Sequence, residues 1–260
     1  MKENLLAIHP LDLGTMKGID KSIFTLHQNQ GIKIDVPCLS YVIVGGGKNI
    51  LVDTGPCGAE WAASYHRDLI KEPSQEMPNA LGKLGLEPGQ IDIIVLTHLH
   101  WDHCFNLEYF PDATIVVQQR ELKYAIAPLP ADCVAYEAGI PDVQPPWMHI
   151  YGRIMGVDGD VELIPGVEVI LIPGHTPGFQ GVKVETGKGQ WVIAGDTVPI
   201  YENWEKEGDA PITPGGIYQD LFSYYRTLEK LKSFGNRLLP GHDERVLKQT
   251  QYPSLQKASL

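Results

Sequence analysis

Short apolar runs punctuated by glycine and proline dominate the hydrophobic pattern of this chain. Leu39 to Val44 and Ile50 to Asp53 flank Gly45-Gly46-Gly47, the signal of a hairpin. Ile91 to Thr97 and Thr114 to Gln118 read as buried strands, and Glu76 to Leu86 as a helix closed by Gly85. The theme recurs at Val161 to Ile164, Val167 to Ile172, Gly181 to Glu185 and Trp191 to Ala194, a meander with turns at Pro165-Gly166 and Gly187 to Gly189. Ile217, Leu221, Tyr224, Leu228, Leu231 and Phe234 recur at helical spacing, which predicts a long amphipathic helix over the second sheet. A last strand, Arg237 to Leu239, precedes Pro240-Gly241-His242.

Two β-rich halves with helical material outside them predict an α/β protein whose two sheets pack face to face between helical layers. Residues 128–160 are rich in Pro and Gly and lack a sustained period, so they read as a pocket-shaping insertion within one domain spanning 1–260.

A hydrophobic content of 43% supports a sizeable core, and 21 Lys+Arg against 32 Asp+Glu leave a net charge of −11. That balance argues against nucleic acid or an anionic membrane as partner, since both reward clustered cations. The opening residues are interrupted by His9, Pro10 and Asp12 and do not read as a signal peptide, and no apolar run approaches a membrane span. Cys38, Cys57, Cys104 and Cys133 form no C-x-x-C pair, as expected of free thiols in a reducing compartment. A cytoplasmic protein acting on a small molecule is the expectation.

The chemistry concentrates at Thr97-His98-Leu99-His100-Trp101-Asp102-His103, which places three of nine histidines and one Asp directly after a predicted strand. In an extended segment, alternate residues share a face, so His98, His100 and Asp102 project together, and a turn brings His103 beside them. Imidazole and carboxylate suit zinc and related divalent metals. His175, Asp196 and His242 each follow a short apolar strand and stand beside glycine, where the backbone can turn sharply.

These residues resemble the metallo-β-lactamase superfamily, over about Leu39 to His242. The resemblance implies a four-layer αββα sandwich and a dinuclear site at one edge of the two sheets. His98, His100 and His175 would then bind one metal, Asp102, His103 and His242 the other, and Asp196 would bridge both. Asp53, in Leu51-Val52-Asp53-Thr54-Gly55, would orient a ligand histidine. A hydroxide held between two divalent ions, zinc by preference, would be the nucleophile, with Asp102 moving its proton to the leaving group.

Length, hairpin start and the ending Gly241-His242-Asp243 look most like the N-acyl homoserine lactonases, which makes quorum quenching by lactone opening the leading expectation. Hydrolysis of another ester, thioester or phosphoester, and a mononuclear iron oxygenase of the persulfide dioxygenase kind, are the alternatives. A noncatalytic protein that kept the fold is a third reading, disfavoured by seven intact ligand positions. Two departures stand out: Phe105 and Asn106 replace the usual glycines after the histidine run, and Pro199 stands where lactonases carry a carbonyl-binding Tyr. Tyr201 and Tyr218 are candidates for that hydroxyl, and Phe105, with Trp61, Trp101 and Trp147, for an apolar acyl pocket. His9, His27, His66 and His149 read as structural or surface residues, and Cys104 as a packed thiol. The resemblance also implies a homodimer.

Overall fold

The computed structural model describes residues 5–205 and 212–254. A seven-stranded sheet comprises β1 (Ala7–Asp20), β2 (Lys33–Val44), β3 (Ile50–Val52), β4 (Leu69–Ile70), β5 (Ile93–Val95), β6 (Thr114–Gln118) and β7 (Ile154–Val157), in the order β4-β1-β2-β3-β5-β6-β7. The second sheet holds β8 (Val161–Ile164), β9 (Val167–Leu171), β10 (Gln180–Thr186), β11 (Gly189–Gly195) and β12 (Leu238–Pro240), in the order β12-β11-β10-β9-β8. Strands β3, β5, β6 and β7 run parallel, as do β11 and β12, whereas the hairpin and meander pairs are antiparallel.

Side-chain alternation sorts the core into layers. Ile50, Val52, Val95 and Val116 meet Val167, Val169, Val182, Val184 and Ile193 between the sheets. Their neighbours Leu51, Ile94, Ile115 and Val117 point outward, against Met77, Ala80 and Leu81 of α2 (Met77–Gly82), which follows the short α1 (Ala59–Tyr65), and Ala125 of α3 (Gln119–Ile126). On the far side, Ile170, Ile172, Val192 and Leu238 pack on Tyr224, Leu228 and Leu231 of α4 (Leu221–Leu231). The result is a four-layer αββα sandwich, each sheet buried on both faces.

Several elements differ from the sequence pattern. Strand β1 is the longest element, yet Pro10, Gly14 and Gly18 hide its period, and its register with β2 shifts between Asp12 and Thr15 and again between Met16 and Ile19. Helix α4 starts after Asp220, whose carboxylate caps Ser223 N at 3.1 Å, so Ile217 belongs to the preceding loop. Helix α2 is shorter than the 76–86 reading: it ends at Gly82, and Gly85 turns the chain at φ +72° while Leu86 N reaches back to Leu81 O. The 128–160 stretch contains an irregular helix, Pro146–Arg153, and β7, which joins the first sheet beside β6.

Candidate metal centre

The loops that follow β3, β5, β9, β11 and β12 converge at one edge of the sandwich, outside the carboxyl ends of the strands. They carry Asp53, the 98–103 run, His175, Asp196 and His242 respectively. Three donor groups have ligand atoms within 4.8 Å of one another: His98, His100 and His175; His98, His103 and Asp196; and Asp102, His103 and His242. Asp196 lies between them. Its Oδ2 is 3.5 Å from both His175 Nε2 and His103 Nε2, and its Oδ1 is 3.2 Å from His242 Nε2. Asp102 Oδ2 stands 3.6 Å from His103 Nε2 and 3.7 Å from His242 Nε2.

The imidazoles are fixed from behind, each by a different part of the chain. His103 Nδ1 is 2.9 Å from Asp53 Oδ2, His242 Nδ1 is 2.9 Å from Pro37 O, His175 Nδ1 is 3.1 Å from Ile217 O, and His98 Nδ1 is 3.0 Å from Thr97 Oγ1. Such partners set tautomer and ring orientation and leave the opposite nitrogen facing the centre. Asp53 is itself held in a left-handed backbone conformation, φ +61°, and its carboxylate accepts from Thr97 N and Thr97 Oγ1 at 2.7 and 2.8 Å. One buried carboxylate thereby ties the end of β5 to the far end of the histidine run.

Close packing around the centre depends on two glycines. A Cβ at Gly241 would fall 2.2 Å from Asp196 Oδ1, and one at Gly178 would fall 2.2 Å from Glu121 N. Glu121 is the main positioning residue that the sequence pattern did not disclose. Fully buried on α3, it accepts from Leu99 N (3.1 Å), Tyr136 OH (2.7 Å), Thr176 Oγ1 (2.7 Å) and Gly178 N (3.1 Å). It thus joins the backbone between His98 and His100 to the loop that carries His175. Asn106, one of the two departures after the histidine run, is a second such residue: its Nδ2 donates to Thr54 O at 2.6 Å and to Pro56 O at 2.9 Å. Tyr224 OH donates to Asp196 O at 2.8 Å and accepts from Gly215 N at 3.1 Å.

The electrostatics divide the cluster. Burial pushes the imidazoles of His98 and His100 well below their ordinary range, and neighbouring imidazoles add to the effect. Burial lowers His175 as well, outweighing the attraction of Asp196. At His103 and His242 burial acts in the same direction, but the carboxylates, Asp196 foremost, outweigh it and raise both. Asp196 is desolvated too, yet His242 and His103 hold it well below the usual carboxylate range.

A pair of divalent cations fits this arrangement. His98 Nε2 and His103 Nε2 are buried without a hydrogen-bond partner, a costly state that coordination would relieve. Five imidazoles and two carboxylates match the ligand preferences of zinc. Cys104, buried in the outer core, belongs to none of the donor groups.

The centre opens into a cavity of about 520 Å³, within the roughly 300–1,000 Å³ common for small-molecule sites. His100, Asp102, His175, Asp196 and His242 line its floor, and Met16, Ile19, Ile23, Phe24, Trp101 and Val134 form an apolar wall. Tyr218 also lines it. Phe105 and Tyr201 lie elsewhere. Phe105 faces Trp61 in a separate depression with Leu107 and Val143, because the turn after His103 carries it to the opposite side. Tyr201 sits beneath the Arg245 guanidinium, 4.8 Å from its ring centre, in a hollow with Trp191 and Tyr252. Trp147 is buried in the outer core. His66 is a wall residue: it stacks on Trp101 with ring centres 4.4 Å apart and meets Glu137 Oε1 at 3.0 Å.

Known proteins share this fold. The family model described as the metallo-beta-lactamase superfamily matches residues 34–242. The N-acyl homoserine lactonase AiiA of Bacillus thuringiensis subsp. kurstaki is 27% identical, covering 86% of this chain and 88% of the relative. The N-acyl homoserine lactonase AiiB of Agrobacterium fabrum is 26% identical, with 96% of each chain covered. Among solved structures, an N-acyl homoserine lactone hydrolase with the product N-hexanoyl-L-homoserine at its catalytic metal centre superposes with a TM-score of 0.71. It is 23% identical and covers 95% of this chain and 96% of that one. AidC, described as a dizinc quorum-quenching lactonase, gives a TM-score of 0.69 at 20% identity, covering 94% of this chain and 90% of that one. At those identities the two structures speak for the fold.

Proposed function

Because the chain belongs to the metallo-beta-lactamase superfamily, we propose that it is a dinuclear metal-dependent hydrolase that opens lactones of the N-acyl homoserine type, a quorum-quenching activity. One observation carries the reading: a single carboxylate, Asp196, faces both donor trios, with His175 Nε2 at 3.5 Å on one side and His103 Nε2 and His242 Nε2 at 3.5 and 3.2 Å on the other. A mononuclear oxygenase would leave the trio of Asp102, His103 and His242, or that of His98, His100 and His175, without purpose. The lactonase relatives support the substrate class.

His98, His100 and His175 would hold one metal, Asp102, His103 and His242 the second, and Asp196 both. Two zinc ions bound there would supply Lewis acidity and a water whose pKa falls to about 7. The protein's own groups then set the geometry. Asp53, Pro37 and Ile217 keep three ligand imidazoles from rotating, so that charge developing on a ring-opening carbonyl meets a preorganised field. Asp102, the less buried of the two acidic residues, borders the cavity and would carry a proton to the departing alkoxide. The wall of Met16, Ile19, Ile23 and Phe24 would exclude water and receive an acyl chain. Tyr218, at the cavity rim, takes the carbonyl-binding role that Pro199 cannot fill.

Proton release by the zinc-loaded protein on N-hexanoyl homoserine lactone tests the proposal, with His100→Ala as control. Rapid acid production abolished by His100→Ala and diminished by Tyr218→Phe is expected. Negligible turnover by protein shown to hold two metals would overturn the lactonase reading.

A further inference from the structure

Resting on the hydrolase reading, we infer that the metal-bearing cavity prefers substrates whose variable arm carries an oxyanion, a carboxylate above all, and that Arg67 is the residue that recognises it. Arg67 is the one Lys or Arg that lines this cavity among the described residues. It also differs from the cations on the neighbouring strands and loops. Lys17, Lys21 and Lys33 on and beside β1 pair with Asp35, Glu202 and Asp20, Lys71 pairs with Glu76, and Arg245 with Glu205 and Asp243. Arg67 makes no ion pair and no side-chain hydrogen bond among the described residues. In a protein with eleven more acidic than basic side chains, a cation left unpaired at the mouth of a catalytic cavity has its guanidinium fork available for a ligand.

The position is built rather than incidental. Asp68 O accepts from Lys17 N at 2.9 Å, and β4 pairs with β1 at Thr15 and Met16, so the backbone beside Arg67 is laced to the strand that supplies the apolar wall. On its other side His66 is stacked against Trp101, which immediately precedes Asp102. The carboxylate of Asp132, which shares the cavity, already accepts the Tyr124 hydroxyl and forms no ion pair with Arg67. A sphere of the cavity's volume is about 10 Å across, so an arm of modest length reaches from the metal ligands to Arg67. An apolar wall on one side and a fork donor at the mouth describe an acyl chain that ends in a charged oxygen pair.

The test uses metal-loaded full-length protein and matched homoserine lactones whose acyl chains end in a carboxylate or in a primary amide. A partly exposed pair is worth about 1 kcal/mol, so the wild type is expected to favour the carboxylate by about fivefold in kcat/KM, mainly through KM. Arg67→Gln should bring the ratio to about one, and Arg67→Glu should invert it. Arg67→Lys should retain part of the preference, and high salt should shrink it in the wild type. The corresponding lactams, which are not hydrolysed, give a second readout by calorimetry. Should no lactone turn over, carboxylate-dependent lactam binding lost in Arg67→Gln would sustain the inference while the lactonase reading falls. Equal binding and turnover of the two arms by the wild type, or a preference that survives Arg67→Gln, would overturn it.

Discussion

Replacing Glu121 by alanine isolates the contribution of a residue that touches none of the proposed ligand side chains yet holds the loops of three of them. Each carboxylate oxygen takes one backbone N–H and one hydroxyl: Oε1 serves Leu99 N and Tyr136 OH, and Oε2 serves Gly178 N and Thr176 Oγ1. The hydroxyls can rotate toward other acceptors, but the two backbone donors cannot. A buried donor left unsatisfied costs about 1–3 kcal/mol, so Glu121→Ala should lose about 2–6 kcal/mol of stability. Glu121→Gln should fall between, at about 1–3 kcal/mol, because its oxygen keeps one pair while its amide opposes only one backbone N–H. Burial raises the pKa of Glu121 against all four donors, so removing the charge offsets part of the loss in the glutamine variant. Because Leu99 and Thr176 adjoin His98, His100 and His175, zinc affinity at that trio should drop about tenfold or more, while the His103 and His242 side is spared. Urea unfolding with excess zinc, and competition with a chromophoric chelator, measure the two effects. A Glu121→Ala protein within about 1 kcal/mol of wild type, with both zinc affinities intact, would refute the reasoning.

Asp53→Asn should weaken zinc binding about 10–100-fold through His103, seen in the same chelator titration, with secondary structure retained by circular dichroism. Gly241→Ala should displace the Asp196 carboxylate and leave fewer than two metals per chain after gel filtration, as read by elemental analysis. For the metal-free protein, His98, His100 and His175 bind protons less readily folded than unfolded, so stability rises with pH up to the unfolded value near 6.5. His103 and His242 bind them more readily when folded, so their contribution, full below 6.5, is lost as pH rises through their folded values. Urea midpoints in chelator should therefore peak near pH 6.5, and zinc, which displaces protons, should move that peak upward; a profile flat from pH 5 to 8 would contradict the assignment.

The layering was legible because the apolar runs at β3, β5 and β6 are short and unbroken and those at β9 and β11 are interrupted only by Glu168 and by the opening Gly189-Gln190, and the cluster of candidate donors because each member stands after a strand and beside a turn. Strand β1 was not: its period dissolves at Pro10, Gly14 and Gly18, where register shifts replace alternation, so Met16 and Ile19 of the cavity wall went unseen. The sequence points instead to Phe105, Trp61, Trp101 and Trp147, of which Trp101 lines the wall; aromatic character alone says nothing about which side of the turn after His103 the others occupy. Glu121 lies in Gln-Arg-Glu-Leu-Lys, a stretch that reads as solvated, and only the tertiary approach of Gly178 makes it a buried acceptor. The onset of α4 was misplaced because Ile217 continues the helical period by side chain while its carbonyl is committed to His175.

The bond between His242 Nδ1 and Pro37 O spans 205 residues, and it gives metal capture a place in time. Synthesis proceeds from the N-terminus at about 5–20 residues per second, so the 98–103 run leaves the ribosome well before His242 follows. During that interval Asp53 and Thr97 already accompany His103 and His98, but His175, Asp196 and His242 have yet to be made. On the proposed ligand set, loading at the Asp102, His103 and His242 trio would await the last strand of the second sheet, making it a closing event of folding and making any truncation ahead of His242 a cause of metal loss there.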